Sequence, residues 1–174
     1  CMMSMACMKG RIGFGSLLRT VYLGNFAGAV LIAFLVAHSG QYDYSAGALG
    51  AYTIKTAVGK TGLSFMRALF SGILCNILVC AAVLMAAAAK DIGGKVLAIF
   101  FPILAFVVSG FEHCVANMYY IPAGIFAAGN PAYVQKAQEL YGLGAEKLTG
   151  LNWGSFVTVN LLPVTIGNII DGAV

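Results

Sequence analysis

The residues whose types and spacing could do chemistry run from Ser109 through Gly110, Phe111, Glu112 and His113, with Asn117 one helical turn further on. Residues 96–108 before them and 114–128 after them carry no charge, so Glu112 and His113 stand midway through apolar sequence. An ionisable pair inside hydrocarbon costs several kcal/mol and marks a path for something polar before it marks anything else. Residues 96–108 give about 20 Å of helix and 114–128 slightly more, whereas a bilayer core needs about 30 Å. The lengths therefore predict one crossing built from two half-helices broken near Gly110. Broken backbone at membrane depth survives only inside protein or along a wet cavity. The second half-helix would point its N-terminal amides at the bilayer centre, an anion-friendly end that contains His113. On the residues alone, His113 is expected on the pathway, and Glu112 is expected to accept backbone amides freed by the break.

The elements that must position these groups are apolar throughout. The chain is 60% hydrophobic and 9% charged, with 22 glycines in 174 residues and a mean hydropathy of +0.90. A soluble domain carries about 25% charged residues, so the composition describes an all-α integral membrane protein embedded in a lipid bilayer. The net charge of +4 is spread along the connections without a basic stripe, which excludes a nucleic-acid footprint. Cys1, Cys7, Cys75, Cys80 and Cys114 show no C-x-x-C spacing and read as small packing residues. The chain opens on Cys1-Met2-Met3 in an apolar stretch and ends inside another, which reads as a piece entered part-way through a helix.

Along the chain, 1–8 is a short apolar segment and 9–14 a basic connection. Spans are expected at 17–38 and 66–89, a broken span at 96–128, and the start of a last span at 153–174, all within one transmembrane channel domain. Residues 39–63 read as a polar connection, 90–95 as a short turn and 129–152 as a longer polar connection. Gly24 and Gly28 supply a G-x-x-x-G spacing that lets a neighbouring helix approach closely, and Trp153 stands where an interfacial aromatic is usual. Lys9, Arg11, Lys90 and Lys95, opposed only by Asp91, favour a cytoplasmic position for loops 9–14 and 90–95.

Other motifs read more plainly. Gly59-Lys60-Thr61 lacks the earlier glycine and the strand that a phosphate-binding loop requires. Asn130-Pro131-Ala132 matches the half-helix tips of aquaporins, but polar residues follow it and it occurs once. His38 fits a span end, and Arg19 and Arg67 can snorkel to headgroups. Lys60, taken alone, is a solvated loop lysine. With two histidines far apart and no metal-ligand or nucleophile-base spacing, no enzyme, metal or cofactor is expected.

Ser109 to Ile125, SGFEHCVANMYYIPAGI, closely resembles the signature of the formate/nitrite transporter family, and NLLPVTIGNIIDG (160–172) resembles its second signature. GNFAGA (24–29) and ILCNILVCAAV (73–83) are similar to its third and fourth helices. The resemblance implies an aquaporin-like helical bundle of two inverted repeats, with broken second and fifth helices and one pore in each protomer of a homo-pentamer. It identifies 1–8 as the tail of the second helix, so that the first helix, the first half of the second and its loop would precede Cys1. By the same resemblance His113 is the central pore histidine and Asn117 its companion. Lys60 is a vestibule lysine that attracts anions, Phe106 an outer apolar constriction and Val79 part of an inner one. Glu112, beside Gly110, ties down the break.

The implied function is a channel of the cell membrane for small monovalent anions of weak acids, formate before nitrite or hydrosulfide. A bare anion pays heavily at apolar rings and its neutral acid does not, so proton-linked, pH-dependent permeation past His113 is expected. The alternatives are a nitrite or hydrosulfide channel of the same family, a channel for neutral solutes, and a non-conducting structural subunit. The last has no use for the buried groups Glu112, His113, Asn117 and Lys60.

Overall fold

The computed structural model describes residues 13, 15 and 17–172, and every regular element among them is a helix. The expected helix tail at 1–8 and nearly all of the 9–14 connection lie outside the described residues. A π-helical stretch, Leu17–Leu23, enters α1 (Gly24–His38). There follow α2 (Ala48–Thr61), α3 (Phe65–Ala88), α4 (Ile92–Ser109), α5 (Cys114–Ala128), α6 (Pro131–Tyr141) and α7 (Ala145–Thr149). The last span opens at Trp153–Ser155, widens into a π-helical turn at Phe156–Leu161 and continues as α8 (Leu162–Gly172).

Three helical runs are long and apolar enough to cross a bilayer: Thr20–His38, Phe65–Ala88 and Trp153–Ile170. At about 1.5 Å per residue, α4 and α5 reach about 27 and 22 Å, and neither crosses alone. Leu31, Phe34, Phe70, Leu84, Phe101 and Val108 are among many large apolar side chains left exposed, as a lipid-facing surface requires. The protein is an all-helical integral membrane protein.

Two differences from the sequence reading bear on the site. Residues 39–63 are not simply a polar connection, because they contain the 14-residue helix α2. Its buried face, Gly50, Ala51, Ile54, Ala57, Val58 and Thr61, recurs every three or four residues and packs on α5. Thr53, Lys55, Thr56 and Lys60 lie between the residues of that stripe and lower the mean hydropathy of the segment, which is why it reads as a connection. Likewise α4 begins at Ile92 rather than 96, because Asp91 caps it by accepting from the Gly94 N–H at 2.8 Å.

The close helix approach also falls elsewhere than expected. A Cβ built on Gly24 or Gly28 meets nothing within 4 Å, so that pair is no contact face among the described residues. A tight contact lies between α3 and α8, where a Cβ on Gly167 would run into the Leu69 carbonyl oxygen and one on Gly72 would lie 2.9 Å from the Val164 carbonyl oxygen, and another between α2 and α5, where a Cβ on Gly124 would run into the Ala57 side chain. The approach of α3 and α8 brings the Asn168 amide of α8 to the wall of the helix break. Cys75 and Cys114 are buried free thiols in keeping with packing roles; Cys80 is disulfide-bonded, which corrects that reading for it.

Candidate functional site: a polar cluster at the helix break

The break occupies residues 110–113. Gly110 closes α4 at φ 67°, ψ 27°, a left-handed conformation that costs a side-chain-bearing residue more than glycine. Its N–H still donates to the carbonyls of Phe106 and Val107. Four residues later α5 starts with His113 as its N-cap, the Nδ1 atom accepting from the Ala116 N–H at 3.3 Å. While that bond stands Nδ1 carries no proton, and a neutral ring holds its proton on Nε2. The imidazole therefore caps the positive end of a half-helix inside the membrane.

The groups freed by the break are satisfied by neighbours and not, as the sequence reading held, by the Glu112 carboxylate. The Glu112 N–H donates to Ser71 Oγ at 3.0 Å, and the Cys114 N–H donates to Asn168 Oδ1 at 2.9 Å. Asn168 Nδ2 in turn donates to the carbonyls of Gly72 at 2.7 Å and Glu112 at 3.2 Å, while Asn76 Nδ2 donates to the Asn168 carbonyl at 2.5 Å. Ser71, Asn76 and Asn168 thus pin the break to α3 and α8.

The Glu112 carboxylate instead organises side chains. It is 4% exposed; Oε1 accepts from Lys60 Nζ at 2.8 Å, and Oε2 accepts from Asn117 Nδ2 at 2.6 Å and from Asn160 Nδ2 at 3.0 Å. Asn117 Nδ2 also donates to Asn160 Oδ1 at 2.7 Å, and Asn160 Nδ2 to the Lys60 carbonyl at 3.0 Å. Asn117 and Asn160 are fully buried. A buried carboxylate persists only when paired and hydrogen-bonded, and three residues from three segments meet that demand here. Lys60 is no solvated loop lysine. It sits in the last turn of α2, where a cation suits the helix dipole, with its ammonium 5.5 Å from the Tyr120 ring.

Above the cluster lies a cavity of 410 Å³. One wall is the face of α2 opposite its packed stripe, carrying Tyr52, Thr53, Thr56 and Lys60; the other is formed by Phe106, Gly110, Asn117 and Tyr120. Glu112, His113 and Val79 do not line it. Phe106, which lines the cavity, has its ring centroid 6.1 Å from that of His113. Val79 is half-buried on α3. Of the residues expected from sequence, Lys60, Phe106, Gly110, Glu112, His113 and Asn117 come together at or beside the break.

Asn160, Asn168, Ser71 and Asn76 were missed. They are uncharged and lie in apolar spans, so hydropathy hides them. The available signal was an amide in a span, with Asn160 and Asn168 two helical turns apart. The π-helical turn at Phe156–Leu161 is what carries Asn160, and such widened turns recur at functional sites. Among the described residues no group of three or more metal-ligating side chains assembles.

A broken apolar helix whose gap is filled by a paired charge, amides and a capping imidazole defines a membrane transport protein rather than an enzyme. Residues 1–174 match the family profile described as formate/nitrite transporter, and the chain belongs to that family. It is 41% identical over 174 residues to the formate channel FocA of Haemophilus influenzae, an alignment covering 97% of this chain and 60% of that protein. It is 38% identical over 169 residues to FocA of Escherichia coli strain K12, covering 94% of this chain and 58% of the relative. Among solved structures it resembles a pentameric formate channel with formate bound, at TM-score 0.82 and 34% identity over 94% of this chain and 64% of that one. An FNT family ion channel is similar at TM-score 0.68 and 31% identity, over 98% and 61%. The chain spans about three-fifths of the length of these curated relatives.

Proposed function

We propose that the protein is part of a membrane channel for small monovalent anions of weak acids, formate first among them, with permeation linked to protons at His113. The observation that carries this reading is the buried Lys60–Glu112–Asn117–Asn160 cluster. It stands at a helix break capped by His113, beneath a cavity that Lys60 lines and Phe106 narrows. The identity to two formate channels supports the substrate class.

Anions are drawn to the Lys60 ammonium and to the positive end of α5, then meet the apolar barrier at Phe106. There a charge is costly and a neutral acid is not. Gly110 turns the chain at the break, Glu112 holds Lys60, Asn117 lines the approach to His113, and Val79 forms an apolar ring on the far side. The working unit is a homo-pentamer in the cell membrane with loops 9–14 and 90–95 facing the cytoplasm, a reading supported by the pentameric structural relative and by the positive charges in those loops.

Uptake of formate, nitrite, hydrosulfide and glycerol by proteoliposomes holding the complete gene product tests the proposal. Formate is expected to enter fastest and glycerol not at all. Uptake of glycerol with exclusion of all three acids would overturn it.

A further inference from the structure

Two stretches of the chain repeat one another. Val21-Tyr22-Leu23-Gly24-Asn25 in the first span matches Val164-Thr165-Ile166-Gly167-Asn168 in the last, with the valine, glycine and asparagine identical. A π-helical stretch lies ahead of Gly24 in one helix and ahead of Val164 in the other. The fold pairs the two copies, because Tyr22 Oη and Thr165 Oγ1, equivalent positions 143 residues apart, share a hydrogen bond at 2.8 Å. Equivalent residues of two like units touch where the units meet across a two-fold axis.

In the last span the motif is occupied. Gly167 lies against the α3 backbone, and the Asn168 amide accepts from the Cys114 N–H while donating to the carbonyls of Gly72 and Glu112. In the first span the same motif stands open. A Cβ on Gly24 meets nothing within 4 Å, and among the described residues the Asn25 amide makes one bond, from Nδ2 to the Val21 carbonyl at 2.7 Å. Its second N–H and its Oδ1 are unmatched there, beside an open cleft of 490 Å³ bordered by Thr20, Gly24, Asn25 and Tyr119. Asn25 is exposed within the apolar run Thr20–His38, where lipid offers an amide no partner. One donor and one acceptor are what a helix break takes up, since it frees carbonyls on one side and N–H groups on the other.

We propose that Asn25 clamps a second helix break, carried by the chain that precedes the described residues in the complete gene product. Oδ1 accepts from a freed N–H and Nδ2 donates to a freed carbonyl, while Gly24 lets the backbone of a further helix approach as Gly167 does on α3. The arrangement repeats that of Asn168 with Glu112 and Cys114, turned about the Tyr22–Thr165 contact. The two FocA relatives are longer than this chain by enough to supply such a segment. The clamp is independent of which solute crosses.

Hydrogen exchange of the complete protein in nanodiscs, read by mass spectrometry, tests this with Asn25→Ala and Asn168→Ala set beside the unmodified protein. Asn25→Ala is expected to speed exchange about tenfold in peptides from ahead of residue 13, the factor that one net hydrogen bond near the upper end of its range supplies. The break at 110–113 is expected to keep its rate in that variant. Asn168→Ala is expected to do the reverse. Unchanged exchange ahead of residue 13 in Asn25→Ala overturns the clamp. So does acceleration confined to an outer helix such as α4, which would mean that a neighbouring copy covers Asn25. If Asn25→Ala does not assemble, an electron cryomicroscopy map of the unmodified protein decides. Backbone atoms from ahead of residue 13 within hydrogen-bond reach of the Asn25 amide uphold the clamp, and an amide that faces lipid or a neighbouring copy overturns it.

Discussion

Removing the Lys60 ammonium while Glu112 remains should destabilise the complete protein far more than removing both charges. At 2.8 Å and an effective dielectric constant of about 20, the gross attraction between the two is about 6 kcal/mol, much of it offset by the desolvation of each ion. In Lys60→Met that attraction is lost, and the Glu112 carboxylate, 5% exposed in its side chain, keeps only the Asn117 and Asn160 amides. Breaking a buried pair in this way costs about 3–5 kcal/mol. The Lys60 side chain is 15% exposed, which softens the loss, and the lower end of about 3 kcal/mol is expected. In Lys60→Met with Glu112→Gln no uncompensated charge remains and the side-chain amide still accepts from both asparagines, so the cost falls to about 1 kcal/mol. Equilibrium unfolding of the complete protein in mixed micelles, run as a double-mutant cycle, reads the coupling as about 2 kcal/mol or more. A double variant no more stable than Lys60→Met would refute the reasoning, because the ion pair would then not be what holds Glu112.

Further outcomes follow from other contacts. Asn168→Ala leaves the Cys114 N–H and the Glu112 carbonyl without side-chain partners and should cost about 2–3 kcal/mol in the same unfolding measurement; a loss under about 0.5 kcal/mol would mean that Asn168 does not hold the break. Gly167→Ala drives a methyl group into the Leu69 carbonyl and should destabilise by about 1–3 kcal/mol in the same assay; no loss of stability would mean that α3 and α8 can part there freely. At the surface, Tyr133 donates to Asp43 Oδ1 at 2.5 Å, and that bond holds the phenol above its ordinary value of 10.0, with burial and the Asp43 charge adding to the effect. Since the folded-state value is the raised one, this contact stabilises the fold fully below pH 10 and ceases to do so as pH rises through the raised value. Ultraviolet titration of tyrosinate, differenced against Tyr133→Phe, should show that shift, and Asp43→Ala should reduce it.

How much was legible in the sequence follows from charge. Glu112 and His113 declared themselves because ionisable side chains in apolar sequence are costly, and the lengths on either side placed the break where Gly110 has its left-handed turn. Lys60 was legible only through the family resemblance, because Thr53, Lys55, Thr56 and Lys60 itself interrupt the apolar face of Ile54, Ala57 and Val58 and make its helix read as a polar connection. The asparagines carry no charge and differ little from their neighbours in a hydropathy profile. Their importance comes from meeting Glu112, Lys60 and the freed backbone across 48 to 100 residues of sequence, which periodicity does not report. The role given to Glu112 failed for the same reason: a carboxylate beside a break looks like its natural cap until Ser71 and Asn168 are seen to occupy that position.

The central claim, that weak acids pass this break with their protons at His113, is tested most directly by formate uptake into proteoliposomes of the complete gene product under an imposed pH gradient. The unmodified protein and His113→Phe are compared across external pH. The account predicts uptake that follows the proton gradient in the unmodified protein and a changed pH dependence in the variant. Identical pH profiles for the two would contradict it.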